Sequence, residues 1–295
     1  MEERPVWQAH HGACQILATH GKTYMFDCGE GAQLQMRRQH FSHQRLRAIF
    51  ITHLHGDHCF GLMGLLSSMS LQGRVAPIDI YAPSPLKEIF QPLINFHASG
   101  AQFDIRLHEI SHTTSETVYT DNSVSVTTIP LRHRLPCTGY LIRENPRLPH
   151  IRRDIIDRLS IPLHAIAAIK QGAGWQTPDG RRFAHSQLVL PPRAPRSYAY
   201  ISDTIYDTII AAHLRGVSLL YHEATFAQAD AAKAQAVMHT TAAQAAHIAR
   251  RAHARQLLLG HYSARYDDET QLLDEAKTIF PNTILAQEGL AIEVE

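Results

Sequence analysis

"ITHLHGDHCFGL" (residues 51–62) places His53, His55, Asp57 and His58 within six positions, directly after the apolar run "LRAIF". That run is short and partly β-branched, so it reads as a buried strand. Imidazole and carboxylate groups together suit zinc, with manganese or iron as alternatives. Alternate residues of a tight loop can converge on one point, and Gly56 permits a sharp turn between them. Incidental histidines in a polar loop would account for one such pair, but poorly for four potential ligands behind a buried strand. One loop does not complete two metal shells, so further His or Asp residues are expected at other strand ends. "TTIPLRH" ends at His133, "SYAYISD" at Asp203, "VSLLYHE" at His222 and Glu223, and "QLLLGH" at His261. Functional groups of open α/β sheets gather at such rims.

Outward from the loop, "CQILAT" and "TYMFDC" flank His20-Gly21-Lys22 and read as a hairpin. "GAQLQMRRQ" has helical composition, "GLMGLLSSMSLQG" reads as a helix ending at Gly73, and "IDIYAP" as a strand. "LKEIFQPLINFH" reads as a helix interrupted by Pro92. Strand-like "SVSVTTIPL", "SYAYIS", "VSLLYH" and "QLLLGH" follow, with helix-like "TAAQAAHIARRAHA" between the last two. This alternation predicts an α/β layered fold with helices on the sheet faces.

The chain has 295 residues, which suits a single domain over 1–295. No apolar run is long enough to span a bilayer, so no membrane partner is expected. "MEERPVWQAH" lacks a signal-peptide layout. The cysteines Cys14, Cys28, Cys59 and Cys137 form no CxxC pair. They suggest neither a disulfide framework nor a thiolate zinc site, and a reducing cytoplasm is the expected compartment. Net charge is +1, but it is unevenly spread. Residues 143–196 hold ten Lys/Arg against four Asp/Glu, a local charge of +6 that leaves −5 on the remainder. This Pro- and Arg-rich stretch reads as an inserted arm. Its Arg152, Arg153, Lys170, Arg181, Arg182, Arg193 and Arg196 are candidate phosphate contacts. Trp175 and Tyr198 are aromatic residues that could stack on bases or pack.

"THLHGDH" matches the HxHxDH signature of the metallo-β-lactamase superfamily, and the chain resembles the ribonuclease Z family within it. "FDCGEGAQLQMRR", "HEATF" (222–226), "HTTAAQAA" (239–246) and "LLGHYSARY" carry the closer likeness. The resemblance implies a four-layered αβ/βα sandwich, an α/β fold of metallo-β-lactamase type, with two zinc ions per chain; manganese is a substitute. By this likeness His53, His55 and His133 hold one zinc, Asp57, His58 and His261 the other, and Asp203 bridges them. Asp57 would also accept the proton of the attacking water, and His239, held by Glu223, would be the proton donor. Precursor tRNA is the implied substrate and a cytoplasmic homodimer the implied assembly. The chain departs from the family's basic P-x-K-x-R-N-type loop at "PPRAPRSYAY", with Ser197 where a basic residue is usual.

The chemistry is consistent with these residues. Two bridged metals supply a nucleophile and relieve phosphodiester charge. His239 suits a general acid by type. It precedes Thr241 and Gln244, a capping-box pair that predicts a helix start. Two other readings are a related hydrolase of small phosphodiesters and a non-catalytic nucleic-acid-binding module. The basic arm and the HEAT and His239 motifs count against the first, and a complete set of seven ligands against the second.

Overall fold

The chain first turns back on itself at His20-Gly21, where both residues take left-handed backbone (φ 52° and 74°). They join β1 (Gln15–Thr19) to β2 (Lys22–Phe26) as an antiparallel pair. Two positive-φ residues match the twist of the flanking strands, so the expected hairpin forms, with Lys22 already in the strand. The computed structural model describes residues 12–295; the N-terminal stretch read for a signal layout lies outside them. β3 (Leu46–Phe50), β4 (Ile78–Pro83) and β5 (Ile105–Ile110) then add in parallel, giving the order β1-β2-β3-β4-β5. Helices Ala32–Arg38, Gly61–Leu71 and Leu86–His97 make the crossovers.

The last of these runs through Pro92, contrary to the interruption expected there. Pro92 removes one backbone donor and leaves the Glu88 carbonyl without its helical partner, but both residues are exposed and water can serve. Leu86, Phe90 and Ile94 stay buried on the opposite face and hold the helix down.

The second sheet contains β6 (Thr117–Thr120), β7 (Val124–Leu131), β8 (Cys137–Glu144), β9 (Ser197–Ile201), β10 (Leu219–Glu223), β11 (Gln256–Gly260) and β12 (Thr283–Leu285). Their spatial order is β12-β11-β10-β9-β8-β7-β6. β9 to β12 are parallel, and β8 meets β9 antiparallel.

Strand alternation sorts the side chains into layers. Tyr24, Phe26 and Phe50 of the first sheet meet Tyr140, Tyr198, Tyr200 and Tyr221 of the second in one aromatic core. Phe26 and Phe50 stack at 5.4 Å, and Tyr200 and Tyr221 at 4.8 Å. The intervening residues face outward. Met25 and Ile49 pack with Leu62, Leu65 and Phe90 of the helices, while Ala199, Leu220 and Leu257 pack with Ala245, Ile248 and Leu272. The layers are therefore helix, sheet, sheet, helix.

Those layers form one compact unit, which runs to Arg143 and resumes at Ser197; Glu144–Arg196 forms another. The second unit has helices Arg153–Arg158, Leu163–Lys170 and His185–Leu188. Two short ribbons pair His150–Ile151 with Val189–Leu190 and Trp175–Gln176 with Arg182–Phe183. Ile155, Ile156, Ile161, Ile169, Leu188 and Val189 give it a small core, against which Trp175 and Phe183 pack. Glu144 and Arg196 close its two chain ends: the guanidinium donates to both carboxylate oxygens, at 3.0 and 2.7 Å.

Candidate metal centre

The predicted strand ends converge. His53, His55, Asp57 and His58 follow β3, His133 follows β7, Asp203 follows β9 and His261 follows β11. Ligand atoms of His53, His55, His133 and Asp203 lie within 4.8 Å of one another. So do those of Asp57, His58 and His261, and those of Asp203, His239 and His261. Asp203 faces both groups with different oxygens. Its Oδ2 stands 3.7 Å from Nε2 of His53 and of His133. Its Oδ1 stands 3.7 Å from Nε2 of His58 and 3.2 Å from Nε2 of His261. His222, the remaining strand-end histidine, does not join them. It is buried elsewhere, its Nδ1 donating to the Glu223 carbonyl at 2.8 Å.

Four imidazoles point Nε2 inward because Nδ1 is engaged outward. His58 Nδ1 donates to Asp27 Oδ2 at 2.7 Å, and His133 Nδ1 to the Met238 carbonyl at 3.1 Å. His53 Nδ1 meets the Thr52 hydroxyl at 3.0 Å, and His261 Nδ1 the Thr225 hydroxyl at 2.9 Å. Outer partners of this kind fix the tautomer and orientation of metal-ligating histidines. His58 Nε2 is buried with no hydrogen-bond partner among the described residues, although Asp57 Oδ2 stands 3.5 Å away. A buried imidazole nitrogen of this kind, facing two carboxylates, fits a cation. The chain has a metal centre.

Electrostatics agree with that reading. Burial, reinforced by the charge of His58, pushes His53 down to about 2, and burial lowers His133 as well. Both present neutral nitrogens. Burial would raise Asp203, but the charges of His261 and His58 hold it low. The imidazoles of His261 and His58, 3.8 and 3.5 Å from its Oδ2, keep Asp57 far below the usual carboxylate range. Asp57 is also the open member of the cluster, its side chain 58% exposed.

Beside this cluster His239 sits between Met238, at φ 61°, and the helix Ala242–Arg251. The expected capping box is present: Thr241 accepts from the Gln244 amide, and Gln244 accepts from the Thr241 amide. His239 Nδ1 donates to Glu223 Oε1 at 3.0 Å, and its Nε2 points back toward the centre, 4.0 Å from Asp203 Oδ2. The Glu223–His239 pair is thus formed next to the cluster.

Three supporting residues were not singled out in the sequence. Asp27 is fully buried and accepts from His58, from the Thr52 amide and hydroxyl, and from the Tyr200 hydroxyl. Thr52 and Thr225 are the hydroxyls beside His53 and His261. A signal for Asp27 existed in "FDCGEG", but nothing in that string says which imidazole the carboxylate would meet. Gly56 also differs from expectation. It opens the short helix Gly56–Cys59 without a positive φ, and an added Cβ would meet the Phe60 ring at 2.5 Å. The space beside it is taken by that exposed side chain, not by backbone.

The arm residues divide. Arg153, Arg181, Arg182 and Arg193 are exposed, and Lys170 and Arg152 are half-buried. Arg152 pairs with Asp154 at 3.4 Å and Arg181 with Asp179 at 2.8 Å. Arg196 is committed to Glu144. Trp175 packs in the arm core, and Tyr198 is buried between the sheets with its hydroxyl on Gln15, so it presents no face to a base.

A profile described as anti-Pycsar protein Apyc1 matches residues 8–145, less than half of the chain, ending before Asp203. Among curated proteins, a ribonuclease Z of Bacteroides fragilis is 48% identical over 97% of this chain and 94% of its own length. The chain belongs to the ribonuclease Z family. Solved structures agree at the level of fold. The short form of human tRNase Z matches with a TM-score of 0.69 at 24% identity, covering 96% of this chain and 93% of that one. A metallo-β-lactamase fold protein, YhfI from Bacillus subtilis, matches with 0.64 at 17%, covering 95% and 90%. This ribonuclease Z family member thus has the metallo-β-lactamase-type sandwich that its signature implied.

Proposed function

We propose that this protein is the zinc-dependent endoribonuclease that removes 3′ trailers from precursor tRNA. The observation that carries the reading is the Glu223–His239 pair standing beside the Asp203-centred cluster in a member of the ribonuclease Z family. Two zinc ions are proposed per chain, with manganese able to replace them. His53, His55 and His133 would hold the first, Asp57, His58 and His261 the second, and Asp203 both. Bound ions supply charge relief to the phosphodiester and a nucleophile from water at neutral pH.

The chain's own groups handle the protons and the orientation. Asp57, anionic and open to solvent, accepts the proton of the attacking water. Attack at phosphorus breaks the bond to O3′ of the tRNA. His239, its Nδ1 committed to Glu223, gives the Nε2 proton to that leaving oxygen. The tRNA then ends in a 3′-hydroxyl and the trailer begins with a 5′-phosphate. Asp27, through His58 and Thr52, keeps two of the ligand imidazoles in register.

Substrate capture falls to the arm. Arg153, Lys170, Arg182 and Arg193 carry its uncommitted charge, and contacts to phosphate hold RNA by backbone and shape. Arg152 and Arg181 would contribute by exchanging their local carboxylate partners for phosphate, while Arg196 closes the base of the arm. The protein would act as a cytoplasmic homodimer. Four unpaired cysteines, three of them buried, suit a reducing compartment, and no helix among the described residues is long and apolar enough to cross a membrane.

The test is incubation with a 3′-extended precursor tRNA, with and without chelator. Metal-dependent release of the trailer is expected. Failure to cut precursor tRNA while an aryl phosphodiester is hydrolysed well would favour the small-substrate reading.

A further inference from the structure

Two buried carboxylates flank the centre, and each is used in the same way. Asp27 takes His58 Nδ1–H directly and reaches His53 through the hydroxyl of Thr52. Glu223 takes His239 Nδ1–H directly and reaches His261 through the hydroxyl of Thr225. The second arrangement joins two different tasks, because His261 is a metal-ligand candidate and His239 the acid candidate.

Donor counting fixes the direction of each bond. A hydroxyl has one proton and two lone pairs, and an ionised carboxylate only accepts. Thr225 Oγ1 lies 2.6 Å from Glu223 Oε2, a charge-assisted distance, so its proton goes there. The Thr225 oxygen must then accept, and His261 Nδ1 at 2.9 Å must donate. Its other nitrogen, Nε2, is left to the cluster. His239 Nδ1, 3.2 Å from the same hydroxyl and 3.0 Å from Glu223 Oε1, must also donate. Glu223 has no spare capacity to serve His261 itself. Oε1 already takes the Thr204 amide at 2.9 Å, and Oε2 the Thr225 amide at 3.2 Å. Among the described residues, Thr225 is the one hydrogen-bond partner of His261 Nδ1.

We infer that Thr225 is a positioning residue, whose single hydroxyl locks His261 in its metal-facing tautomer and ties it to the Glu223–His239 pair. Losing the hydroxyl strands the Nδ1–H of His261 and removes one donor from Glu223. Metal retention and proton donation then weaken together. The inference rests on the metal and acid assignments above, so its test reads the device without relying on RNA cleavage alone.

The experiment compares Thr225→Val, which keeps the shape, with Thr225→Ser, which keeps the hydroxyl. Zinc affinity is read by competition with a chromophoric chelator, and kcat and KM on a precursor tRNA. Thr225→Val is expected to lose about 10–100-fold in zinc affinity and to lower kcat with KM little changed. Thr225→Ser should restore both. Wild-type zinc affinity in folded Thr225→Val, or a serine variant as defective as the valine, would overturn the inference. A second measurement needs no variant: nitrogen-15 NMR of histidine-labelled, zinc-loaded wild-type protein should find the His261 proton on Nδ1. A proton on Nε2 would overturn it equally. Inactivity of the wild-type protein on precursor tRNA would instead count against the functional reading.

Discussion

His239 and Asp57 stand on either side of His261 in the metal groupings but should fail differently. His239 is tied to Glu223 and lies outside the two proposed ligand sets, so His239→Ala should keep its zinc, measured by elemental analysis. Its turnover should fall by about 10²–10⁴-fold, the usual scale of a lost general acid. Asp57→Asn would weaken a proposed ligand and remove the proposed proton acceptor of the water, so both zinc content and turnover should drop. A His239→Ala protein cutting at the wild-type rate would move the acid elsewhere. Protons also report on metal loading. In the metal-free protein burial works against a charge on His261, yet Asp203 and Asp57 outweigh it and raise it to about 9. Burial likewise opposes His58, and Asp27 outweighs it. Both therefore hold protons at pH 7 that a cation must displace. Zinc affinity should rise with pH up to about 9, and binding at pH 7 should release protons. Calorimetry in two buffers of different ionisation enthalpy measures this; zero net release would contradict it.

At the scale of elements, backbone approach shapes the centre. Gly61 donates its amide to the Cys28 carbonyl, and Cys28 donates to the His58 carbonyl, so two loops share their main chains. A Cβ on Gly61 would sit 2.0 Å from the Gly29 carbonyl oxygen, which cannot step aside. At Gly56 the obstacle is the Phe60 ring, which is 72% exposed and free to move. Gly61→Ala should therefore lose folded, metal-binding protein, while Gly56→Ala should retain both; circular dichroism melts and zinc content decide. The same contrast shows what the sequence could reveal. The strands that carry the proposed ligands are readable because each is a short apolar run ending in His or Asp. β5 and β6 are not legible as strands: "IRLHEI" and "TVYT" lie at sheet edges with half-exposed, polar-rich surfaces that lack a buried run. Helix Leu86–His97 ran through Pro92 because its buried face outweighs one lost hydrogen bond. Asp27, Thr52 and Thr225 act through contacts distant in sequence or through a hydroxyl, and residue spacing records neither.

For the whole molecule, the division between chemistry and capture can be tested. The proposed ligands all lie outside Glu144–Arg196, which has its own small core. Replacing residues 147–190 with a short Gly/Ser linker, keeping the Glu144–Arg196 pair, should leave a folded, zinc-loaded protein that still hydrolyses an aryl phosphodiester. Binding of precursor tRNA should weaken most at low salt, and its salt dependence should become shallower as phosphate contacts are lost. Equal loss on both substrates would mean that the arm supports the centre itself. The proposed chemistry is hydrolysis by water at the phosphorus that joins tRNA to trailer. Single-turnover cleavage in oxygen-18 water, with mass spectrometry of both fragments, measures it directly. One heavy oxygen is expected on the trailer's 5′-phosphate, with an unlabelled 3′-hydroxyl on the tRNA. Label on a tRNA 3′-phosphate, or a 2′,3′-cyclic phosphate at the cut, would contradict it.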